Sequence, residues 1–263
     1  MDGTEHTPMD DTDSSYTGAH AAFYESLTGA ASRDDVLFYV ERAREAAGPV
    51  LELACGTGRV SLELLAAGVD ADGFDRSADT LRELRASAAE RGLDPSVWRA
   101  DMTTFAVDRA YDLVICPFNT LQYLLTTEEQ LAALRRVHDA LAPGGAFVFD
   151  VFVPDFELIC ETYGEWQEGV IEYRGDTYRT RSRTRIVDEV NQEFTFEVGA
   201  TDADGEAVFA VEHHLTMLPR HEVDLLVRLS PFDEWSVTGD FSDEPIKDGD
   251  SSQVWTLWKS TGE

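Results

Sequence analysis

The stretch Val50-Leu51-Glu52-Leu53-Ala54-Cys55-Gly56-Thr57-Gly58-Arg59 constrains the fold more than any other part of the chain. It reads as an apolar strand, a glycine turn and the start of a helix. The glycines let the backbone turn tightly and come close to a ligand, and the helix start presents free N–H groups. Asp75 closes the next apolar run and Asp101 the one after it. A carboxylate at the tip of the second strand is where a doubly wound sheet holds a ribose by its hydroxyls. Together these features imply a site for an adenosine-type cofactor.

The details select among such cofactors. A dinucleotide fingerprint has the form G-x-G-x-x-G, but Ser61 stands at the third glycine position and the pattern here is E-x-A-x-G-x-G. That pattern resembles motif I of the class I S-adenosylmethionine-dependent methyltransferases, with Ala54 where the first glycine usually stands. The resemblance runs from about Tyr24 to about Val153 and more loosely to the C-terminus. It implies S-adenosylmethionine as cofactor, Asp75 on the ribose hydroxyls, Arg76 near the adenine, Asp101 accepting from the adenine amino group, and Met102 over the ring. Tyr24 resembles an N-terminal tyrosine motif that folds over the methionine end. Glu52, Ala54, Cys55, Gly56, Gly58, Cys116 and Phe118 complete the implied cofactor-binding set. Arg59 either reaches the methionine carboxylate or is an exposed first-turn arginine.

Cys116-Pro117-Phe118-Asn119-Thr120-Leu121-Gln122-Tyr123-Leu124 follows the fourth apolar run, at the carboxyl edge where ligands bind. It is neither the Asn/Asp-Pro-Pro-aromatic motif of amine methylases acting on nucleic acid or glutamine nor the Pro-Cys of cytosine methylases. It resembles the Phe-Asn-Ser-Leu loop of small-molecule methyltransferases, and Asn119, Gln122 and Tyr123 there either face the pocket or serve loop and helix capping. On the first reading Asn119 and Tyr123 are catalytic candidates.

Strands and helices alternate from residue 50 to residue 153, which predicts a parallel sheet with right-handed crossovers. Ser77 is an expected N-cap, and Thr126-x-x-Glu129 an expected capping box. The fold class expected is α/β: a Rossmann-like, doubly wound, mostly parallel sheet with an antiparallel β lid inserted. The expected division is an acidic, disordered tail at 1–18, a core at 19–158 and 219–263, and the lid at 159–218.

Within the lid, the runs 177–187, 192–200 and 207–218 have period-two alternation, with Asp204-Gly205 as a tight-turn signal. Arg179, Arg181, Arg183 and Arg185 share one strand face. A short connection would set Arg185 opposite Glu193 and Arg181 opposite Glu197, giving cross-strand salt bridges; an anionic substrate is the other reading of this row. The next hairpin sets Val211 beside Val198, His213 beside Phe196 and Leu215 beside Phe194. His213 then lies on the apolar face, either as a packed core residue or as a general base reaching from the lid. Phe152, Tyr163 and Trp166 are candidate walls of the acceptor pocket.

Net charge is −30, with only Lys247 and Lys259 as lysines. An acid excess spread along the chain, with lysine nearly absent, suggests a cytosolic protein of a salt-loving organism, a haloarchaeon being the expected source. It weighs against nucleic acid as partner, mildly, because molar salt screens long-range charge. No N-terminal apolar run resembles a signal peptide and no stretch is long enough to span a bilayer, so a cytoplasmic location is expected. The cysteines (Cys55, Cys116, Cys160) are far apart, and no cluster has metal-ligand spacing; neither a disulfide framework nor a metal is expected. The expected function is methyl transfer to a nitrogen or oxygen of a small-molecule acceptor. Alternatives are an RNA- or protein-directed methyltransferase, a catalytically idle cofactor-binding module, and a nicotinamide dehydrogenase, which Ser61 disfavours.

Overall fold

Four short, largely apolar runs read as strands covered on both faces, and the computed structural model, which describes residues 34–173 and 175–262, places them side by side. They are β1 (Val50–Leu53), β2 (Ala71–Asp75), β4 (Tyr111–Cys116) and β5 (Leu141–Phe152), joined at one edge by the short β3 (Ser96–Arg99). All five run parallel. At the other edge β11 (Ser252–Trp258) lies antiparallel to β5, and β10 (Glu234–Gly239) antiparallel to β11. The order is β10-β11-β5-β4-β1-β2-β3. Strand order reverses between β1 and β4, and ligands bind outside the carboxyl ends of the strands at such a reversal.

Helices cover both faces. Phe38, Tyr39, Val40 and Ala43 of α1 (Asp34–Glu45) pack with Leu64 of α2 (Ser61–Ala66) against Val50, Leu113 and Val148. Leu81 and Leu84 of α3 (Ala78–Glu90) close over Leu62 and Cys55. On the opposite face, α4 (Thr127–Ala140) and α6 (Arg220–Leu229) bury Leu134, Val137, Val223 and Leu226 among Phe74, Phe147 and Trp255. The caps read from the sequence are present. Ser77 accepts from the Thr80 N–H at 3.3 Å, and Thr126 and Glu129 form a reciprocal capping box.

A second sheet, antiparallel, has the order β6-β7-β8-β9, from β6 (Gln167–Tyr173), β7 (Asp176–Asp188), β8 (Glu193–Thr201) and β9 (Ala207–Thr216). Helix α5 (Phe156–Thr162) leads into it. The β8–β9 register is the one read from the turn: Val198 opposite Val211, Phe196 opposite His213, Phe194 opposite Leu215. The β7–β8 register differs by two residues from expectation. Arg185 faces Thr195 and Arg183 faces Glu197, with a register break between Ile186 and Asp188. The connection is longer than expected because Asp188 builds it, accepting from the Val190 and Asn191 N–H groups at 2.8 and 3.0 Å. A slip of two preserves side-chain parity, so the arginines still meet carboxylate. Arg183 and Arg185 both bond Glu197.

Candidate active site

The turn after β1 is built from residues in unusual backbone conformations. Ala54, Gly56 and Gly58 all have positive φ, at 51°, 55° and 94°. At Gly58 a Cβ would lie 2.8 Å from Leu84 and 2.9 Å from Leu62, so this glycine serves the packing of α3 against α2. At Gly56 a Cβ would meet no atom closer than 4.0 Å. The backbone there borders open space, as a turn that receives a ligand requires.

That space is a cleft of about 990 Å³, part of it open to solvent, at the carboxyl ends of β1, β2 and β4. Its wall includes Glu52, Ala54, Cys55, Gly56, Arg59, Asp75, Arg76, Asp101, Met102, Phe118 and Tyr123 among the residues singled out in the sequence, together with Thr57, Thr80 and Thr120. Gly58, Cys116, Asn119 and His213 are not part of the wall. Cys116 is fully buried in β4, and burial pushes its thiol well up, as it does that of Cys55. Tyr24 lies outside the described residues.

Asp75 is buried at the tip of β2. Its Oδ2 accepts from the Gly56 N–H at 3.0 Å, and its Oδ1 accepts from the Ser77 N–H at 2.8 Å and the Thr80 hydroxyl at 3.2 Å. Burial raises its pKa and these bonds oppose the rise. Asp101 accepts from the N–H and the hydroxyl of Thr103, at 2.8 and 2.5 Å, both on Oδ1. Glu52 lies deeper, its Oε2 accepting from the Ser61 hydroxyl. Burial pushes the Glu52 carboxyl up to about 7 against the pull of Ser61 and Arg59. The residue that breaks the dinucleotide pattern, Ser61, thus supplies a partner for the acid of the same motif.

Arg59 is not an exposed first-turn side chain. Its guanidinium forks onto Asp35 of α1, at 2.8 and 2.5 Å, and lies over the Phe118 ring at 4.7 Å. Phe118 and Asn119 are consecutive left-handed residues, with φ of 64° and 58°. A buried carboxylate absent from the sequence-derived candidates, Asp150 of β5, accepts from both of their N–H groups at 2.8 and 2.9 Å. The signal for it was a lone charge inside the apolar run Phe147-Val148-Phe149-Asp150-Val151.

The second sheet meets the principal one at the segment 120–123. Gln122 donates from Nε2 to the Thr216 carbonyl at 2.8 Å, and the Tyr123 hydroxyl lies 3.2 Å from Nδ1 of His213. His213 is 3% exposed and stacks on Phe196, with ring centroids 6.2 Å apart. Phe152 and Tyr163 pack with Phe194, Leu215 and Met217 beside Tyr123 instead of forming the cleft wall. Trp166 lies under the guanidinium groups of Arg181 and Arg183, at 4.6 and 4.4 Å. Among the described residues no group of three or more His, Cys, Asp and Glu is placed to hold a metal ion, and no helix is long and apolar enough to cross a membrane.

Comparison with known proteins bears on this arrangement. Residues 50–145 match a family model described as a methyltransferase domain. The cypemycin N-terminal methyltransferase of a Streptomyces species is 28% identical over 204 residues, covering 74% of this chain and 77% of that protein. The dTDP-3-amino-3,6-dideoxy-alpha-D-glucopyranose N,N-dimethyltransferase of Streptomyces fradiae is 27% identical over 218 residues, or 80% and 82% of the two chains. The crystal structure of an S-adenosylmethionine-dependent methyltransferase from Clostridium acetobutylicum ATCC 824 superposes with a TM-score of 0.74 at 18% identity, covering 91% of this chain and 97% of that one. The fold is the mixed α/β fold of the class I S-adenosylmethionine-dependent methyltransferases.

Proposed function

We propose that the chain is an S-adenosylmethionine-dependent methyltransferase acting on a nitrogen or oxygen of a small molecule. The observation that carries this reading is the convergence, on one cleft, of the Asp75 carboxylate, the unfilled backbone at Gly56 and the Asp101 carboxylate. Asp75 would take the ribose hydroxyls, Arg76 and Met102 would flank the adenine, and Asp101 would accept from its amino group. Glu52, Ala54, Cys55, Gly56 and Phe118 would enclose the remainder, with Gly58 and Cys116 shaping the turn and the strand behind it. When bound, the cofactor supplies a sulfonium methyl carbon open to in-line attack.

The chain's own part is to align the acceptor, exclude water and take up a proton. Tyr123 lies on the cleft wall with His213 behind it. In this reading the Tyr123 hydroxyl accepts the acceptor's proton while passing its own to Nδ1 of His213. Asn119, off the wall itself, would act on the acceptor only through the turn it forms with Phe118. The β6–β9 sheet, roughly residues 159–218, is a lid that brings His213 to the site.

An amine is the acceptor the relatives favour: by their names, the Streptomyces fradiae protein is an N,N-dimethyltransferase of an amino sugar and the cypemycin enzyme an N-terminal methyltransferase. A nucleic-acid acceptor has less support, because Glu197 already engages two of the four arginines in the row Arg179 to Arg185. The net charge of −30 and the two lysines support a cytoplasmic setting rich in salt. Calorimetric titration of S-adenosylhomocysteine in molar KCl, with NAD as control, tests the reading. Binding lost on Asp75→Ala supports it, and a folded protein that binds neither or prefers NAD refutes it. Methyl transfer to a panel of primary amines then separates an enzyme from an idle cofactor-binding module.

A further inference from the structure

Asp150 is a buried carboxylate beside the cleft that the proposed chemistry does not use. Asp150 is the lone charged residue of β5 and is 2% exposed. Its Oδ1 accepts from the Tyr39 hydroxyl at 2.6 Å and from the Phe118 N–H at 2.8 Å, and its Oδ2 accepts from the Asn119 N–H at 2.9 Å. Those two N–H groups belong to adjacent non-glycine residues in the left-handed region, a conformation that persists only where the surroundings impose it.

Phe118 is also where the two sides of the cleft meet. Its ring lies on the cleft wall beneath the Arg59 guanidinium, which Asp35 holds by two bonds. Asp35 and Tyr39 are four residues apart on α1, hence on one helix face. One helix therefore fixes both the arginine above Phe118 and the carboxylate that grips its backbone.

We propose that Asp150, backed by Tyr39, is a positioning residue: it holds the Phe118–Asn119 turn in its left-handed form and so sets the shape of the cofactor cleft. This rests on the reading that the cleft takes an S-adenosyl donor. A carboxylate suits the place because three donors converge on it. An amide brings donors of its own and leaves at least one of the three poorly satisfied, and an apolar side chain orphans two backbone N–H groups.

The test is calorimetric titration of S-adenosylhomocysteine into wild type, Asp150→Asn, the double variant Asp150→Asn/Asn119→Gly, and Tyr39→Phe, with hydrogen exchange of residues 117–120 measured alongside. Asp150→Asn is expected to weaken binding by about tenfold or more and to speed exchange at Phe118 and Asn119, since misplaced site geometry carries losses of that order. Glycine at 119 adopts positive φ freely, so the double variant is expected to recover affinity to within about threefold of wild type. A residue needed only for folding would show no such rescue. Tyr39→Phe, which leaves both turn N–H groups on the carboxylate, is expected to fall between wild type and Asp150→Asn. Wild-type affinity in Asp150→Asn, or a double variant as weak as the single one, overturns the proposal. Should Asp150→Asn fail to fold, unchanged exchange and affinity in Tyr39→Phe do so. Wild type that does not bind S-adenosylhomocysteine refutes the cofactor reading instead, and unchanged exchange in Asp150→Asn then separately refutes the hold on the turn.

Discussion

The Tyr123 hydroxyl lies 3.2 Å from Nδ1 of His213, ninety positions away in the chain. Tyr123 borders the cleft and His213 does not, so in the proposed mechanism the imidazole would act on an acceptor only through the phenol. Tyr123→Phe is expected to lower the rate of methyl transfer by roughly 10²-fold, the lower end of what general acid–base groups contribute. S-Adenosylhomocysteine affinity should stay near wild type. His213→Gln should cost a similar factor, and the double variant little more than either single one, because both changes cut the same path. Rate losses that multiply in the double variant would show the two residues acting independently.

Asp75 carries two duties. In the free protein it satisfies the Gly56 N–H, the Ser77 N–H and the Thr80 hydroxyl, and in the proposed complex it also takes the ribose hydroxyls. Asp75→Ala should therefore weaken S-adenosylhomocysteine by roughly 100-fold or more, at about 1.5–3 kcal/mol per hydrogen bond to a charged group. It should also lower stability, because the Gly56 and Ser77 N–H groups lose their partner, while the Thr80 hydroxyl keeps the Ser77 carbonyl. Calorimetry and chemical denaturation of the same variant measure the two effects, and unchanged affinity in a folded variant would remove Asp75 from the site.

Much of this was legible because local rules and tertiary structure agree. The parallel sheet follows from apolar runs such as Leu113–Cys116, and the β8–β9 register from a single turn with alternating residues, which sets His213 against Phe196. Other parts were not legible, for separate reasons. Strand β6 and helix α5 carry little apolar pattern because both are mostly exposed. The β7–β8 register depends on how Asp188 closes its turn, a side-chain detail that alternation does not encode. Neither sequence reading of Arg59 included its ion pair, because the partner, Asp35, lies 24 positions earlier on α1. Asp150 was passed over because an acid within an apolar strand has no meaning until Tyr39, Phe118 and Asn119 surround it.

Glu52 gives the fold a pH dependence of definite sign. Its carboxyl rises from an ordinary value near 4.5 to about 7 on burial. Between those values the folded chain binds this proton more tightly than the unfolded chain, so stability falls as pH rises through the window and levels off above about 7. The decline attributable to Glu52 is about 3 kcal/mol, from a shift of that size at 1.36 kcal/mol per unit. Denaturation of wild type and Glu52→Gln at pH 4 and pH 8 isolates it, because the other carboxylates titrate in both. Wild type should lose ground to the variant on going to pH 8. A gain would mean that Glu52 is held ionised at low pH.

Gly56 and Gly58, two positions apart in one turn, should respond differently to alanine. At Gly58 the added Cβ meets Leu84 and Leu62 at 2.8 and 2.9 Å on a backbone with φ of 94°. Clash and strain act together there, and Gly58→Ala should cost about 2–4 kcal/mol of stability, from the penalties for left-handed strain and overpacking. At Gly56 the Cβ meets no atom closer than the Ala54 carbonyl at 4.0 Å, and only the left-handed φ of 55° opposes it. That cost is about 1–2 kcal/mol, low enough for Gly56→Ala to fold. The methyl group then occupies the space where the backbone borders the cleft, so S-adenosylhomocysteine affinity should fall by roughly tenfold or more, about 1.4 kcal/mol per decade. Melting curves and titrations of the two variants separate the roles: stability lost at 58, affinity lost at 56. Equal affinity losses per unit of stability at both positions would mean that Gly56 serves only the turn.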